Sequence, residues 1–443
     1  MRRTLSLLVL LLAAPTAASA QWPAAVAEMD RYVQADRIVG SALVLVEDGR
    51  IVAEHYTGLH DRNNNVAADR NTIWHWGSIT KTLTAVAVRQ LEQGSNRPRP
   101  VPDLLDRSAV EFVPELRRIH DPYGTIDAVT VRMLLSHSSG LRNGTWPWAR
   151  GEAWEPFEPT EWDQLVAMMP YMQLEFAPGS RYGYSNPAFV YLARIIQAIT
   201  GDPWQGRIYK TLFMPLGMQA SYFGLTPVQL QGQRSHNYIV ERTDVADRGP
   251  DFDPGVTIPN GGWNAPVTDL ARWMGFLAGS SDSATQARYD ALLPRRVLEE
   301  MWEPVVRVDA EQEMGLSFFL RREGGRRLVG HTGTQANFRS FFWLDPASRR
   351  AVIGVVNTSN DVDPAASARE FEAVMAAARQ ALSPRARPQD ARRVTAHSGL
   401  RPLTTQDSHL TSTRPSRSSP GSAAGPRCSR DGPPRSTRRA AAG

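Results

Sequence analysis

Ser41-Ala42-Leu43-Val44-Leu45-Val46-Glu47-Asp48-Gly49-Arg50-Ile51-Val52-Ala53-Glu54-His55-Tyr56 is the stretch that decides the fold. Ala42 to Val46 is an apolar run too short for a helix and rich in residues that suit a pleated surface. Asp48-Gly49 is a tight-turn pair, and Ile51 to Tyr56 runs back, so the segment reads as a β-hairpin. The same pattern recurs near the other end of the chain, within residues 327–358. There Phe338 to Leu344 is strand-like, Asp345-Pro346 turns the chain, and Ala351 to Val356 returns. Helical patterns flank both hairpins. Pro23 to Arg37 precedes the first, and Ala365 to Leu382 follows the second with Phe371, Val374 and Met375 on one side. Strands at both ends with mostly helical sequence between them predict one antiparallel sheet whose halves come from the two ends of the chain. Residues of roughly 95–310 then form an inserted helical lobe, and the cleft between the lobes is the natural place for chemistry. No internal repeat is present.

The chain has 443 residues and a formal net charge of +5, but the charge is unevenly placed. Residues 1–20 carry Arg2 and Arg3 and no acid, and residues 383–443 carry 12 Arg, no Lys and 3 Asp. Residues 21–382 are left with 36 basic and 42 acidic side chains, a net of −6. A mildly acidic body argues against nucleic acid as its partner. The single cysteine, Cys428, excludes an intramolecular disulfide and any site built on several cysteines.

The first 20 residues read as an export signal, with Arg2-Arg3, the apolar run Leu5 to Ala14, and Ala18-Ser19-Ala20 before Gln21. The run is too short to span a bilayer, no later segment is long and apolar enough, and the expected location is periplasmic or secreted with no stable membrane span. Residues 383–443 hold eight Pro and ten Ser and few large aliphatic side chains, the composition of a disordered basic tail. Such a tail could also touch an anionic surface or be a stretch read out of frame. The domain organisation is therefore a signal at 1–20, a body at 21–382 and a tail at 383–443.

Gly77-Ser78-Ile79-Thr80-Lys81 opens a helix that runs to about Gln93 and stops at Gly94. Lys81 stands one turn from Ser78, within reach of its hydroxyl. It is the only charge between Gly77 and Val88, so the helix reads as buried and the amine as one whose pKa falls by desolvation. A neutral amine can take a serine proton. The chain has two lysines, Lys81 and Lys210, against 48 arginines, so a position that remains lysine is a candidate for an amine that must lose its proton.

Pro178-Gly179-Ser180-Arg181-Tyr182-Gly183-Tyr184-Ser185-Asn186-Pro187 leads into an apolar helix closed by Gly201. Tyr184 is a candidate acid/base group and Asn186 a candidate amide for a substrate carbonyl. Asn186 reads equally well as a helix N-cap with Pro187 at the first helical position. Gly330-His331-Thr332-Gly333-Thr334 reads as a strand end where small residues let a substrate lie against backbone N–H groups; a polar turn with an exposed histidine is the plainer alternative. Trp146, Trp148, Trp154, Phe157 and Trp162 cluster in a proline-rich stretch, either as a wall of the cleft or as packing for a loop.

The order Ser-x-x-Lys, Tyr-x-Asn and His-x-Gly resembles the serine β-lactamase and penicillin-binding-protein superfamily, in the branch of class C β-lactamases, D-Ala-D-Ala carboxypeptidases, D-aminopeptidases and related esterases. Thr130 to Leu141, Gly261-Gly262-Trp263 and Thr268 to Ala271 look like that family too, and the resemblance covers about residues 25–380. It implies an α/β lobe plus a helical lobe, and a serine hydrolase acting on a small-molecule or peptide substrate. Ser78 would be the acyl-accepting nucleophile. Lys81 and Tyr184 would share the proton transfers, with the general base left open between them. The N–H groups of Ser78 and Thr334 would form the oxyanion hole, and Asn186, His331, Thr332 and Gly333 would border the substrate. It implies no metal or organic cofactor, and it leaves the oligomeric state open. His331 stands where class C β-lactamases carry lysine, so little β-lactamase activity is expected; Arg339 on the next strand is a candidate replacement cation. Absence of Gly-x-Ser-x-Gly and His-Glu-x-x-His leaves α/β-hydrolase and zinc-peptidase routes unsupported. The alternatives are a catalytically inactive scaffold or ligand-binding protein of the same fold, or a true β-lactamase.

Overall fold

The computed structural model describes residues 17–95, 100–142 and 159–383. Nine strands form one sheet: β1 (Gly40–Glu47), β2 (Arg50–Asp61), β3 (Val66–Ala67), β4 (Val306–Arg307), β5 (Gln312–Met314), β6 (Phe319–Glu323), β7 (Arg326–Gln335), β8 (Phe338–Asp345) and β9 (Arg350–Val356). Their spatial order is β3-β2-β1-β9-β8-β7-β6-β5-β4, antiparallel at every described pairing. The two predicted hairpins are present, and they meet at the centre: Ser41 pairs with Val356 and Val44 with Ile353. The sheet is thus closed by residues more than 300 positions apart, which the apolar pattern of each hairpin allows but does not specify.

Every residue of β8 except Arg339 and every residue of β9 is buried. The reason is that both faces are covered. On one face Leu43, Leu45, Phe341, Trp343, Val352 and Val356 pack with Met29, Tyr32, Phe371 and Val374. These last four come from helices α1 (Ala17–Ala35) and α5 (Pro364–Gln380), the predicted terminal helices. On the other face Ala42, Val44, Val46, Phe342, Leu344 and Ile353 join a larger core that includes the helical region. Strands buried on both sides lose the alternation that marks a half-exposed strand, which is why the apolar runs in β1 and β9 are unbroken.

Helix α2 (Thr80–Gln93) leads into the inserted region, which carries α3 (Pro187–Thr200) and α4 (Val267–Ala278) with several short helical turns. The inserted region also carries short strands that the helical reading leaves out. Of these, Trp263–Pro266 and Tyr222–Phe223 join Ile73–His75 in a three-stranded sheet, and Ile73–His75 lies directly before Ser78. The predicted C-terminal ends of α2 and α3 hold to within a residue, because each helix ends on a glycine with left-handed backbone, Gly94 at φ 73° and Gly201 at φ 76°. The start of α2 lies at Thr80, after the predicted Gly77, because Gly77–Ile79 forms a tighter turn of its own.

Residues 1–16 of the expected signal, nearly all of the expected tail, and Trp146, Trp148, Trp154 and Phe157 lie outside the described residues. Trp162 opens a short helix and lies edge-on to Tyr191, with the Arg194 guanidinium over its ring. That is the packing role for this tryptophan. Among the described residues no helix is long and apolar enough to cross a membrane.

Candidate active site

Ser78 lies in the single turn Gly77–Ile79 that leads into α2. Three bonds fix this turn. Trp76 N–H donates to Trp263 O at 2.9 Å, Trp76 Nε1 donates to Ala265 O at 2.8 Å, and Thr80 Oγ1 donates to Gly77 O at 2.7 Å. Gly77 has φ +52°, a backbone region that costs a side-chain-bearing residue about 1–2 kcal/mol. The result is a serine held half-buried at the rim of a rigid helix start.

Lys81 is fully buried. Its Nζ lies 2.9 Å from Ser78 Oγ, 2.8 Å from Asn186 Oδ1 and 2.7 Å from the main-chain oxygen of Asn260. Burial pushes its pKa well below the usual lysine value, and no carboxylate offsets the effect. A neutral amine has two N–H groups and one lone pair. The oxygens of Asn186 and Asn260 can only accept, so they take the two N–H groups and leave the lone pair facing the serine hydroxyl.

Tyr184 lies on the loop before α3. The Lys81 Nζ sits 5.0 Å from its ring centroid. Burial raises the phenol's pKa above its ordinary value of 10, a shift that the neighbouring Ser78 hydroxyl opposes and Tyr182 reinforces. The phenol therefore stays protonated at neutral pH. Asn186 occupies the N-cap position of α3 but makes no side-chain cap bond. Its Oδ1 takes Lys81 and also accepts from Asn260 Nδ2 at 3.2 Å. The cap reading is therefore replaced: Ser185 Oγ takes the Ala188 N–H at 3.3 Å instead.

His331, Thr332, Gly333 and Thr334 lie on β7. This strand is internal to the sheet, but β6 pairs with it only as far as Gly330 opposite Phe319. Beyond Gly330 its outer edge has no strand partner among the described residues. The β7–β8 turn is Ala336-Asn337, with φ +45° and +67°, the signature of a two-residue type I′ turn. Such a turn makes Gln335 and Phe338 a hydrogen-bonded pair. By alternation Gly333–Ser340 is another, and Thr334–Arg339 is not. The N–H of Thr334 thus points away from β8 into the open edge. Gly77 is what lies there: a Cβ on Gly77 would come within 3.0 Å of Thr334 N. A Cβ on Gly333 would meet Trp76 O at 2.0 Å. The two glycines let strand and serine turn touch, which brings the Thr334 N–H against the turn that carries Ser78.

His331 is buried, not exposed, with 1 % of its surface accessible. Its Nδ1 lies 2.6 Å from Thr332 O, and Nε2 has no partner among the described residues. Burial and the nearby Lys81 push its pKa down to about 3, against a smaller pull from Thr332 O. It is a neutral imidazole at pH 7. Arg339 does not replace the missing cation. Ser340, its neighbour, faces the serine turn and donates to Trp76 O at 2.9 Å, so Arg339 points to the opposite face. There it donates to Ser367 Oγ at 2.8 Å under α5. The candidate residues Ser78, Lys81, Tyr184 and Asn186 are in contact, and the β7 residues adjoin them. Sequence reasoning missed Asn260 and His137, although both lie in or next to stretches already noted for their resemblance. His137 stacks on Tyr184 at 4.2 Å between ring centroids. Among the described residues no group of three or more His, Cys, Asp or Glu is placed to hold a metal ion.

Protein flp of Staphylococcus aureus is 22% identical over 339 residues, 76% of this chain and 63% of that protein. The chain thus spans less than two thirds of the length of this curated relative. A penicillin-binding protein homologue from Pyrococcus abyssi superposes with a TM-score of 0.66 at 24% identity, covering 80% of this chain and 77% of that one. A D-amino acid amidase from Ochrobactrum anthropi SV3 gives 0.63 at 20% identity, covering 82% and 100%. A family model described as Beta-lactamase matches residues 26–377, from within α1 to the last turns of α5. That match takes in both halves of the sheet and the whole region that carries Ser78, Lys81, Tyr184 and His331, and on it the chain belongs to the Beta-lactamase family.

Proposed function

We propose that the protein is an exported serine hydrolase that cleaves small amides or esters through an acyl-enzyme on Ser78. The observation that carries this reading is the Lys81 amine, buried without a carboxylate and 2.9 Å from Ser78 Oγ. In the proposed reaction Ser78 Oγ attacks the substrate carbonyl carbon and Lys81 takes the hydroxyl proton. The N–H groups of Ser78 and Thr334 receive the oxyanion, a contribution of about 3–4 kcal/mol per donor in comparable hydrolases. Tyr184, protonated at neutral pH, gives its proton to the leaving nitrogen or oxygen as the carbon–heteroatom bond breaks. The proton on Lys81 returns the phenol to its starting state, and water then releases the acyl group by the reverse transfers.

The substrate preference follows from charge. Neither His331 nor Arg339 offers a cation beside the open edge of β7, so a carboxylate on the leaving side gains no partner there. We rank D-amino-acid amides and small esters above penicillins. The amidase among the similar folds supports the amide arm. Export is part of the proposal. The helix α1 starts at Ala17 and carries Pro23 in its interior, where proline is unfavourable. Removal of residues 1–20 would leave Pro23 in the first turn, where it is tolerated.

The test is mass measurement after incubation with a fluorophosphonate, on wild type and Ser78→Ala, followed by a panel of p-nitrophenyl esters, D-amino-acid anilides, D-Ala-D-Ala peptides and nitrocefin. An adduct on wild type alone supports the reading. No adduct, or the same adduct on the variant, removes it.

A further inference from the structure

We propose that His137 is the positioning residue for the Tyr184 phenol, holding it where it can protonate the leaving group. This rests on the hydrolase reading above and deepens it. His137 is fully buried and has φ +57°, a left-handed backbone rare for a residue with a side chain. Conformations of this kind persist only where the surroundings hold them, and they concentrate at functional sites. Here the surroundings are the tyrosine loop. His137 O accepts the Gly183 N–H at 2.8 Å, and its Nδ1 accepts the Ser185 N–H at 3.0 Å. Main chain and side chain of one residue thus grip the loop on both sides of Tyr184. Between those grips the imidazole lies on the Tyr184 ring, with centroids 4.2 Å apart and planes 24° apart. Ser138 O takes the Gly179 N–H at 2.7 Å and extends the same cradle.

The hydrogen bond fixes the tautomer. Nδ1 accepts, so the proton sits on Nε2, which has no partner among the described residues although it is buried. A core histidine kept only for stability would be expected to satisfy that donor. This one forgoes it and keeps a flat face against the phenol ring instead. A misplaced phenol would leave nucleophilic attack largely intact and impair proton delivery to a basic leaving group.

The test is a leaving-group series of esters of one acyl group, from p-nitrophenyl to ethyl, on wild type, His137→Asn, Tyr184→Phe and the double variant. Asparagine tolerates left-handed backbone, and its Oδ1 can take the Ser185 N–H, so it keeps the loop bond and removes the ring. His137→Asn is expected to lose about 30-fold or more on the ethyl ester, a part of the roughly 10²–10⁴-fold that a general acid usually contributes, and about threefold or less on the p-nitrophenyl ester. The double variant should match Tyr184→Phe within about threefold, since residues acting through one group are not additive. Equal loss across the series, or additive losses, would overturn the inference. If His137→Asn is not recovered folded, His137→Gly, which also tolerates left-handed backbone and removes the ring, is run through the same series, and the same split decides. Fluorophosphonate labelling of wild-type Ser78 separates the two readings. Labelling with an even loss across the series removes only the role of His137, whereas no labelling removes the hydrolase.

Discussion

Asn186 stands at the N-terminus of α3 yet turns its amide oxygen to the Lys81 amine, 2.8 Å away, instead of to the helix's own N–H groups. An acceptor that carries no charge binds an N–H of the amine without stabilising its protonated form as a carboxylate would. The exchange Asn186→Asp supplies that carboxylate. It would raise the Lys81 pKa and hold the amine as an ammonium at neutral pH. The acid limb of the pH–rate profile should then move up by about 1–3 units, with the rate at pH 7 lowered in proportion and recovered at higher pH. An unmoved limb in p-nitrophenyl ester hydrolysis would show that Lys81 is not the base.

Gly77 and Gly333 make a second prediction. A methyl group on Gly77 meets Thr334 N at 3.0 Å and forces a left-handed residue to carry a side chain. Gly77→Ala should lower kcat about 10²-fold or more, the usual cost of losing one oxyanion donor, with a modest fall in Tm. In Gly333→Ala the added Cβ meets Trp76 O, a fixed main-chain atom, at 2.0 Å. It should destabilise the fold as well as the site, by about 2–4 kcal/mol. Kinetics and thermal unfolding of the two variants check the split.

The fold was legible where the chain's own pattern carried it. The two hairpins, α2 and α3 each have an apolar run bounded by turn or cap residues, and all four are present. The Ser41–Val356 pairing that closes the sheet was inferred only from strands occurring at both ends. The short strand Trp263–Pro266 that anchors Trp76 has no pattern of its own, because four buried residues show no alternation. Within the site, Ser78 and Lys81 were legible from spacing. Asn186 was ambiguous because one residue type serves a cap and an amine equally well, and only the position of Lys81 decides. Arg339 was misjudged as a candidate cation because its face depends on strand register, which a one-residue change reverses.

His331 and Arg339 together give a third prediction. With His331 neutral and Arg339 bound to Ser367 on the far side of the sheet, neither residue offers a cation to a β-lactam carboxylate beside the open edge of β7. Nitrocefin should be hydrolysed with kcat/KM below about 10⁴ M⁻¹s⁻¹ at pH 7, the low end of the usual enzyme range. A small p-nitrophenyl ester should exceed it by at least about tenfold. Turnover of nitrocefin near 10⁶ M⁻¹s⁻¹, well inside that range, would sink the charge argument.

The buried bases also set how stability responds to pH. His331 is held near 3 when folded against an ordinary value of 6.5, and Lys81 well below 10.5. Each binds fewer protons folded than unfolded across its own window, so stability rises with pH there. For His331 the window runs from about 3 to 6.5: the unfolded chain takes up the proton first, and stability falls as the medium is acidified through it. For Lys81 the window lies higher and ends near 10.5, so the same sign holds on the alkaline side. His331→Gln removes one titrating group without leaving a buried apolar gap. It should shrink the drop in Tm between pH 7 and pH 4, and leave the response above pH 8, where Lys81 and the buried tyrosines titrate, unchanged. His137 and His75, also buried with lowered values, keep part of the acid response in the variant. Thermal unfolding at matched ionic strength measures both slopes, and an unchanged acid slope in His331→Gln would mean that this imidazole is already protonated in the folded chain.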